Sequence, residues 1–504
     1  MYKNILIGCD IGTSSTKAVA MTAQGEMLAS SSEGYGIITQ HPSWAEQWPD
    51  VWADAAIKTI SEVAKKVDTS KIAGICISAL YGGSGVMCDE KMEPIRPTII
   101  WMDRRAHEES KWIEKEIGEK TIFDISANGI DSYFGYAKLL WVKNHEPKLF
   151  ERIRMIFPIH SYIVYLLTGK ITVDYCSAGN IGGIYDFDKK CWSEEIAERL
   201  SIKLNTLPNN FGIPTKISGT LTEKFSQKLG IPSDVPVCFG TVDCVASMLS
   251  AGIVRSGDNA AVLGTSLNWG YISEDRPIDP KLISTPYYIT DKKMNYTYGG
   301  ASTAGALPRW FMNNFINDES SDAYKRLEKE VEKNIPVGSG GLMVLPYFMG
   351  ERTPIWDENA SGLIMGLSLM HTKEHIFRAF LESTAYSLLD IMNSMTNKGK
   401  LEKLVLVGGG SKSPLWRKIF ADVTGLPVYT PINPVEAPLG DAFMAGLATG
   451  LIANTQEIEN WVKFNPPVFP DSENHKKYCE LFKVYKSLYP SLKGDMKKLR
   501  ELSY

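Results

Sequence analysis

Apolar runs separated by a short polar turn occur at matching places in the two halves of the chain. The first is I-G-C-D-I-G-T-S-S-T-K-A-V-A at 7–20, and the second is A-A-V-L-G-T-S-L-N-W-G-Y-I at 260–272. Each pattern predicts two strands joined by a Gly-Thr-Ser turn. The turn glycines, Gly12 and Gly264, lie 252 positions apart, which is half of the 504 residues. The duplication predicts two similar halves, each with one Gly-hydroxyl turn.

The rest of the pattern alternates between strands and helices in both halves. Strands are predicted at 4–9, 16–22, 26–32, 72–79, 296–300 and 404–407, two strands joined by a turn at 260–272, and a helix at 49–67. This order predicts α/β domains with mixed sheets. We place the boundary near residue 250, so the predicted domains are 1–250 and 251–504.

Composition narrows the class of protein. A hydrophobic share of 44% is ample for two cores, and the net charge of −4 argues against a nucleic-acid partner. No apolar run approaches the roughly 20 residues that span a bilayer, and the N-terminus lacks a secretory pattern, so we expect no membrane partner. Eight scattered cysteines without a C-x-x-C pair predict reduced thiols in a cytoplasmic protein. Composition leaves a homodimer open.

The two Gly-hydroxyl turns are candidate phosphate sites, because backbone N–H groups and hydroxyls can converge there on an anionic oxygen. Their residues are Gly12, Thr13 and Ser14 in the first half and Gly264, Thr265 and Ser266 in the second. Asp10 ends the first strand just before its turn. A carboxylate there could hold Mg²⁺ beside a phosphate, or could simply accept hydrogen bonds from the turn. The pairing of the turns indicates an enzyme that uses ATP.

Two further segments carry candidate chemistry. Asp243 stands where a strand gives way to a helix, and it suits either an N-cap or a base that accepts a proton from a substrate hydroxyl. The strand 404–407 runs into Gly408, Gly409 and Gly410, after which Ser413, Pro414 and Gly425 delimit a helix as N-cap, N1 and stop residues. Three consecutive glycines let a backbone lie against a flat ligand.

These pieces together resemble the FGGY family of carbohydrate kinases, closest in appearance to its xylulokinase branch. The resemblance runs from about residue 3 to about residue 450. It rests on D-I-G-T-S-S-T-K at 10–17, H-P-S-W-A-E-Q at 41–47, I-I-W-M-D-R-R-A at 99–106, K-L-L-W-V-K-N-H-E-P at 138–147, G-T-V-D-C at 240–244, L-G-T-S at 263–266 and G-G-G-S-K-S-P-L-W-R-K-I-F-A-D-V-T-G-L-P-V at 408–428. It implies two actin/Hsp70/hexokinase-like (ribonuclease H-like) domains with a nucleotide cleft between them.

The resemblance also implies roles for single residues. Asp243 looks like the catalytic base that activates the sugar hydroxyl, and Asp10 like the Mg²⁺-side carboxylate. Phosphate contacts are implied for Thr13, Gly264 and Thr265, and the turn itself adds Ser14. Adenosine-side contacts are implied for Gly409, Gly410 and Ser413. The implied cosubstrate and metal are ATP and Mg²⁺.

The chain departs from its relatives around the sugar. Xylulokinases typically show G-Q-M-H-G after the strand at 72–79, and glycerol kinases an Arg-Glu pair, whereas this chain has Gly82 and Gly83 there. Gly135 stands where the family usually has Pro, Ser or Thr. We expect the glycines to enlarge the pocket. The other candidate substrate residues are Trp101, Asp103, Arg104 and Tyr133, although the aromatic ones suit a core equally well.

The sequence therefore predicts an ATP- and Mg²⁺-dependent sugar kinase acting on a ketopentose such as D-xylulose. Kinases for glycerol, a tetritol, gluconate or ribulose are the alternatives within the class. An actin- or chaperone-like ATPase is a rival outside it, and so is a regulator with a lapsed active site. The K-L-L-W-V-K-N-H segment argues against the ATPase, and the intact Asp10 and Asp243 argue against the regulator.

Overall fold

The structure is a computed structural model that describes residues 3–81, 83–316, 318, 320, 322–395, 401–434 and 436–503. Its strands are β1 (Ile5–Ile11), β2 (Ser15–Thr22), β3 (Met27–Gly34), β4 (Glu46–Gln47), β5 (Ile72–Ala79), β6 (Val86–Cys88), β7 (Thr98–Ile99), β8 (Met155–Phe157), β9 (Val173–Asp174), β10 (Tyr185–Asp186), β11 (Cys191–Trp192), β12 (Phe211–Gly212), β13 (Ile217–Thr220), β14 (Pro236–Cys238), β15 (Thr241–Val242), β16 (Asn259–Leu263), β17 (Leu267–Ser273), β18 (Ile283–Pro286), β19 (Asn295–Ala301), β20 (Met343–Leu345), β21 (Leu363–Met365), β22 (Leu404–Val407) and β23 (Val428–Tyr429).

The α-helices alternate with these strands, as the sequence predicts. They are α1 (Pro49–Ala64), α2 (His107–Glu116), α3 (Glu119–Ser126), α4 (Gly135–His145), α5 (Pro147–Phe150), α6 (Ile159–Thr168), α7 (Tyr175–Ile181), α8 (Glu194–Leu200), α9 (Glu223–Leu229), α10 (Asp243–Ser250), α11 (Ala306–Phe315), α12 (Ala323–Asn334), α13 (Lys373–Ser394), α14 (Pro414–Thr424), α15 (Ala437–Thr449), α16 (Ile458–Trp461) and α17 (Ser472–Ser503). None of the described helices is long and apolar enough to cross a membrane.

The chain forms two compact units. Unit 1 comprises Met1–Val254, Glu274–Tyr296 and Val435–Val462, and unit 2 comprises Arg255–Ser273, Thr297–Pro434 and Lys463–Tyr504. The chain passes from one unit to the other after Val254, four residues beyond the predicted boundary. Neither unit is a continuous stretch of sequence, because segments from the second half complete unit 1.

The main sheet of unit 1 has the strand order β13–β14–β5–β1–β2–β3, with β15 also paired to β5. β1 runs antiparallel to β2 and parallel to β5, and this register sets Asp10 beside Lys17 on one side and Ser78 on the other. Because helices cover both faces, β1 is apolar throughout except at Asp10. Gly8 is required in β1, since a Cβ there would lie 1.9 Å from the Pro438 carbonyl oxygen of α15.

Unit 2 is built around a second sheet in which β19, β17, β16, β22 and β23 follow one another. β16 runs antiparallel to β17 and parallel to β22. This hairpin and parallel neighbour repeat the arrangement of β1, β2 and β5 in unit 1, which confirms the predicted mixed α/β class and the duplicated hairpin. α13 and α14 pack together, and the buried Trp416 indole donates to the Leu381 carbonyl oxygen over 3.0 Å.

Candidate active site

Three carboxylates lie close together in unit 1. Asp10 is near the end of β1, Asp243 is the first residue of α10 after the short strand β15, and Asp441 is in α15. The predicted N-cap role of Asp243 is wrong: the N-cap position belongs to Val242, and no side chain caps this helix. The Asp243 carboxylate therefore does not serve as the N-cap of α10.

Burial and mutual repulsion raise the pKa values of these carboxylates. Burial, and then the negative charge of Asp10, raise the pKa of Asp243 from 3.8 to about 8. Burial also raises the pKa of Asp10 to about 6, although the hydrogen bond from Ser78 and the charge of Lys17 act to lower it. Such a concentration of negative charge favours protons or a cation.

Asp441 was not predicted from the sequence. Its side chain is fully buried, and burial, followed by the charge of Asp10, raises its pKa well above the usual range. Ser78 Oγ lies 2.7 Å from Asp441 Oδ2 and 3.0 Å from Asp10 Oδ1. Because one hydroxyl carries one proton, a protonated Asp441 donates to Ser78, and Ser78 donates to Asp10. Asp441 thus fixes the orientation of Asp10.

The first Gly-hydroxyl turn lies directly after Asp10. The Gly12 N–H donates to the Ser15 carbonyl over 2.9 Å, which closes the turn, and Ser14 is exposed. The Trp101 indole N–H donates to Thr13 Oγ1 over 3.1 Å, and Gln47 Nε2 donates to the Thr13 carbonyl over 2.9 Å. The candidate sugar-wall tryptophan therefore holds the candidate phosphate turn.

The remaining substrate candidates of unit 1 separate into two groups. The Tyr133 and Tyr81 rings lie 5.0 Å apart, and the buried Lys138 donates to the Tyr133 carbonyl over 2.7 Å. Asp103 is instead fully buried, and its carboxylate accepts hydrogen bonds from Arg105 and from the Ala45 N–H. The structure thus places Tyr133 beside Tyr81 and Lys138, whereas Asp103 lies in a buried ion pair.

The expectation that Gly83 enlarges the sugar pocket is wrong. A Cβ on Gly83 would lie 2.3 Å from the Ile99 carbonyl oxygen and 2.9 Å from Lys138 Cδ, so that space is already filled. A Cβ on Gly135 would lie 2.2 Å from the Gly83 carbonyl oxygen. The two departures from the family pattern are therefore one feature, a close contact between two glycine backbones. Gly82 lies outside the described residues.

In unit 2, the predicted nucleotide residues line one cavity of about 790 Å³. Its walls include Gly264, Thr265, Gly409, Gly410 and Ser413. This volume lies in the range of small-molecule and cofactor sites. These separate sequence motifs therefore line the same cavity.

Local structure explains each wall of this cavity. The turn at Gly264 and Thr265 is braced from outside, because the Gly305 N–H donates to the Gly264 carbonyl and the Ala304 N–H donates to the Thr265 carbonyl, both over 2.9 Å. No atom lies within 4 Å of a Cβ built on Gly409, so its backbone is open to a ligand.

The third wall is the start of α14. Ser413 is the predicted N-cap, accepting from the Trp416 N–H over 3.0 Å, and its hydroxyl donates to Glu328. Gly425 ends the helix in the left-handed conformation, which confirms the predicted cap and stop residues.

Comparison with known proteins agrees with this arrangement. Residues 5–250 match the model of the FGGY family of carbohydrate kinases, N-terminal domain, and residues 259–449 match that of its C-terminal domain. The chain belongs to the FGGY family of carbohydrate kinases. It is accordingly a carbohydrate kinase, a phosphotransferase with an alcohol group as acceptor.

Individual relatives are similar along the whole chain. The xylulose kinase of Staphylococcus xylosus is 30% identical over 491 residues, which cover 96% of this chain and 99% of the relative. A ligand-bound xylulose kinase from Lactobacillus acidophilus and a gluconate kinase from the same organism each superpose with a TM-score of 0.91. Each is 29% identical and is matched over 98% of this chain and 99% of its own. Structural similarity therefore does not separate a ketose substrate from a sugar acid.

Proposed function

We propose that this carbohydrate kinase transfers a phosphoryl group from ATP to a hydroxyl of a ketopentose such as D-xylulose, with Mg²⁺ as the metal. The observation that carries the proposal is the environment of Asp243. Its pKa of about 8, raised first by burial and then by the charge of Asp10, lies near neutral pH, where a general base is most effective. Full-length similarity to a xylulose kinase supports the substrate.

The proposed chemistry assigns a task to each residue. Asp243 accepts the proton of the substrate hydroxyl as that hydroxyl attacks the γ-phosphorus. The N–H groups and hydroxyls of the turn at Thr13 and Ser14, and of the turn at Gly264 and Thr265, donate to phosphate oxygens. The backbone at Gly409 and Gly410, with Ser413, forms the wall for adenosine in the cavity of unit 2.

Asp10 fits a metal role. A group of three or more His, Cys, Asp or Glu side chains that could enclose a metal does not occur among the described residues. Mg²⁺ commonly takes only one or two carboxylates and completes its shell with water and phosphate oxygens, which suits Asp10. When bound, the metal would supply positive charge that offsets the charge developing on the transferred group. It would also lower the pKa of Asp243, since the repulsion from Asp10 would be neutralised.

We assign the sugar wall to Trp101 and Tyr133, with Gly83 as a backbone contact. Asp103 is left out of this set because its carboxylate is occupied by Arg105 and the Ala45 N–H.

Reduced thiols are consistent with a cytoplasmic enzyme, since all eight cysteines are free.

A coupled ADP-release screen tests the substrate. The panel comprises ketopentoses, ketohexoses, tetritols, glycerol and aldonates, with and without Mg²⁺. We expect the highest kcat/KM with D-xylulose and no turnover without a divalent cation. Gluconate is the second candidate, because the gluconate kinase superposes as well as the xylulose kinase does. Turnover confined to gluconate would overturn the ketopentose assignment and leave the kinase intact.

A further inference from the structure

A small cavity lies in unit 1 beside the proposed sugar wall. Its volume is about 20 Å³, and Tyr81, Gly83, His160, Ser177 and Val242 are among the residues that line it. This volume suits one water-sized group. Val242 immediately precedes Asp243 in the chain. A hydroxyl-sized group bound here would therefore lie against the residue that precedes the proposed base.

One wall of the cavity bears a hydroxyl without a partner. Ser177 lies in α7 and is 5% exposed, and its Oγ has no hydrogen-bond partner. Its backbone N–H does have one, because it donates to Asp174 Oδ2 over 3.1 Å as part of the helix cap. A buried hydroxyl left unpaired costs free energy, and such a group marks a place where water or a ligand completes the hydrogen bond.

The lining also includes the imidazole of His160, which a carboxylate holds in place. His160 Nε2 lies 2.9 Å from Asp174 Oδ1, and both side chains are almost completely buried. The second carboxylate oxygen, Asp174 Oδ2, also accepts from Thr241 Oγ1 over 3.0 Å. Asp174 thereby connects His160 to the start of α7 and to β15, the strand that immediately precedes Asp243. The cavity is held rigidly relative to the proposed base, as specific recognition requires.

The charge of the lining selects a neutral group. Among the described residues, no Lys or Arg lines this cavity, and the carboxylate of Asp174 stands behind His160. A substrate carboxylate would meet that negative charge without a fixed cation to balance it. A hydroxyl, in contrast, can form a hydrogen bond with Ser177 Oγ, which is both a donor and an acceptor, and can contact the imidazole ring of His160. We propose that this cavity is a subsite for one hydroxyl of a neutral sugar, with Ser177 and His160 as specificity-determining residues.

This proposal rests on the proposed function, and substrate analogues test it. The assay measures kcat/KM of the wild type and of Ser177→Ala with D-xylulose and with its analogues lacking the hydroxyl at C1, C3 or C4. We expect the wild type to lose about 10- to 100-fold on one analogue, because the site is left with an unpaired polar group. Ser177→Ala should lose a similar factor on D-xylulose and nothing further on that same analogue.

Stability separates recognition from structure. Ser177→Ala removes no protein hydrogen bond, so its melting temperature should stay within about 1 °C of the wild type. The matched control is Ser126→Ala, because Ser126 is also buried in unit 1 but donates to the Ile122 carbonyl over 2.8 Å. That control should melt earlier and keep the wild-type discrimination among the analogues.

The outcomes distinguish the subsite from the function. Suppose that the wild type phosphorylates D-xylulose but that Ser177→Ala lowers kcat/KM by the same factor on D-xylulose and on every analogue. The cavity then holds water only, and the proposed subsite is wrong. If the wild type phosphorylates D-gluconate and not D-xylulose, the proposed substrate fails, and so does the neutral group assigned here. If no member of the sugar panel is phosphorylated, the proposed transfer chemistry itself is refuted.

Discussion

Replacing Asp243 by Asn should abolish catalysis and at the same time stabilise the free protein at alkaline pH. In the folded chain this carboxyl keeps its proton up to about pH 8, whereas an unfolded Asp loses it near its ordinary value of 3.8. Between these values the folded state binds more protons than the unfolded state, so the free energy of unfolding falls as the pH rises. Asn carries no such proton, and the variant lacks this loss.

The size of the effect follows from the pKa. A rise from 3.8 to about 8 corresponds to at most about 6 kcal/mol at 1.36 kcal/mol for each pKa unit. Part of this free energy comes from the charge of Asp10 and disappears when Asp10 takes a proton. Water that enters the site reduces the contribution of burial as well. We therefore expect a gain of about 1–3 kcal/mol at pH 8 and less than about 1 kcal/mol at pH 4.5.

Urea unfolding without metal or nucleotide measures this gain at both pH values. The control is Asp54→Asn, which removes the same charge from an exposed position on α1 and should shift stability equally at both. Loss of the base should lower kcat by about 10²- to 10⁴-fold. A stability gain that is the same at pH 4.5 and pH 8, or a kcat within tenfold of the wild type, would refute the reasoning.

Three further changes test other parts of the site. Asp441→Asn should retain the wild-type stability and an activity within about threefold of the wild type, because the amide replaces a protonated carboxyl that donates to Ser78. Asp441→Ala should instead lower the free energy of unfolding in urea by about 1–3 kcal/mol. Equal losses in both variants would contradict the protonated state of Asp441. Gly83→Ala should cost about 2–4 kcal/mol in the same assay, because its φ of 56° disfavours a side chain and a carbonyl oxygen lies 2.3 Å from the new Cβ; an unchanged midpoint would show that the space is empty. Gly409→Val should raise KM for ATP about tenfold, because the new side chain enters the open cavity, and should leave both KM for the sugar and stability unchanged. The control is Gly494→Val, on α17. An unchanged KM for ATP in Gly409→Val would show that Gly409 is not part of the nucleotide site.

Features encoded by neighbouring residues could be predicted from the sequence. The hairpin of β1 and β2 follows from apolar runs on either side of a Gly-Thr-Ser turn. The limits of α14 follow from Ser413, Pro414 and Gly425, whose cap chemistry acts within a few residues. These signals depend on local backbone geometry, which the chain specifies directly.

Contacts between distant segments gave no comparable signal. Asp441 bonds to Ser78 across 363 positions, and only the packing of α15 on β1 reveals that the two meet. The contact between Gly83 and Gly135 likewise depends on the fold, and from sequence alone a glycine suggests open space as readily as close packing. Ser177 looks like an ordinary helix residue until its missing hydrogen bond is seen beside the cavity.

Transfer of the γ-phosphoryl group from ATP to the sugar, followed by ³¹P NMR in the presence of Mg²⁺, tests the central claim most directly. With D-xylulose, the wild type should form one sugar phosphate for each ADP, and Asp243→Asn should form neither above background. ADP released without sugar phosphate, at a rate indifferent to the sugar, would show that Asp10, Asp243 and the unit 2 cavity serve ATP hydrolysis and not phosphorylation of a sugar.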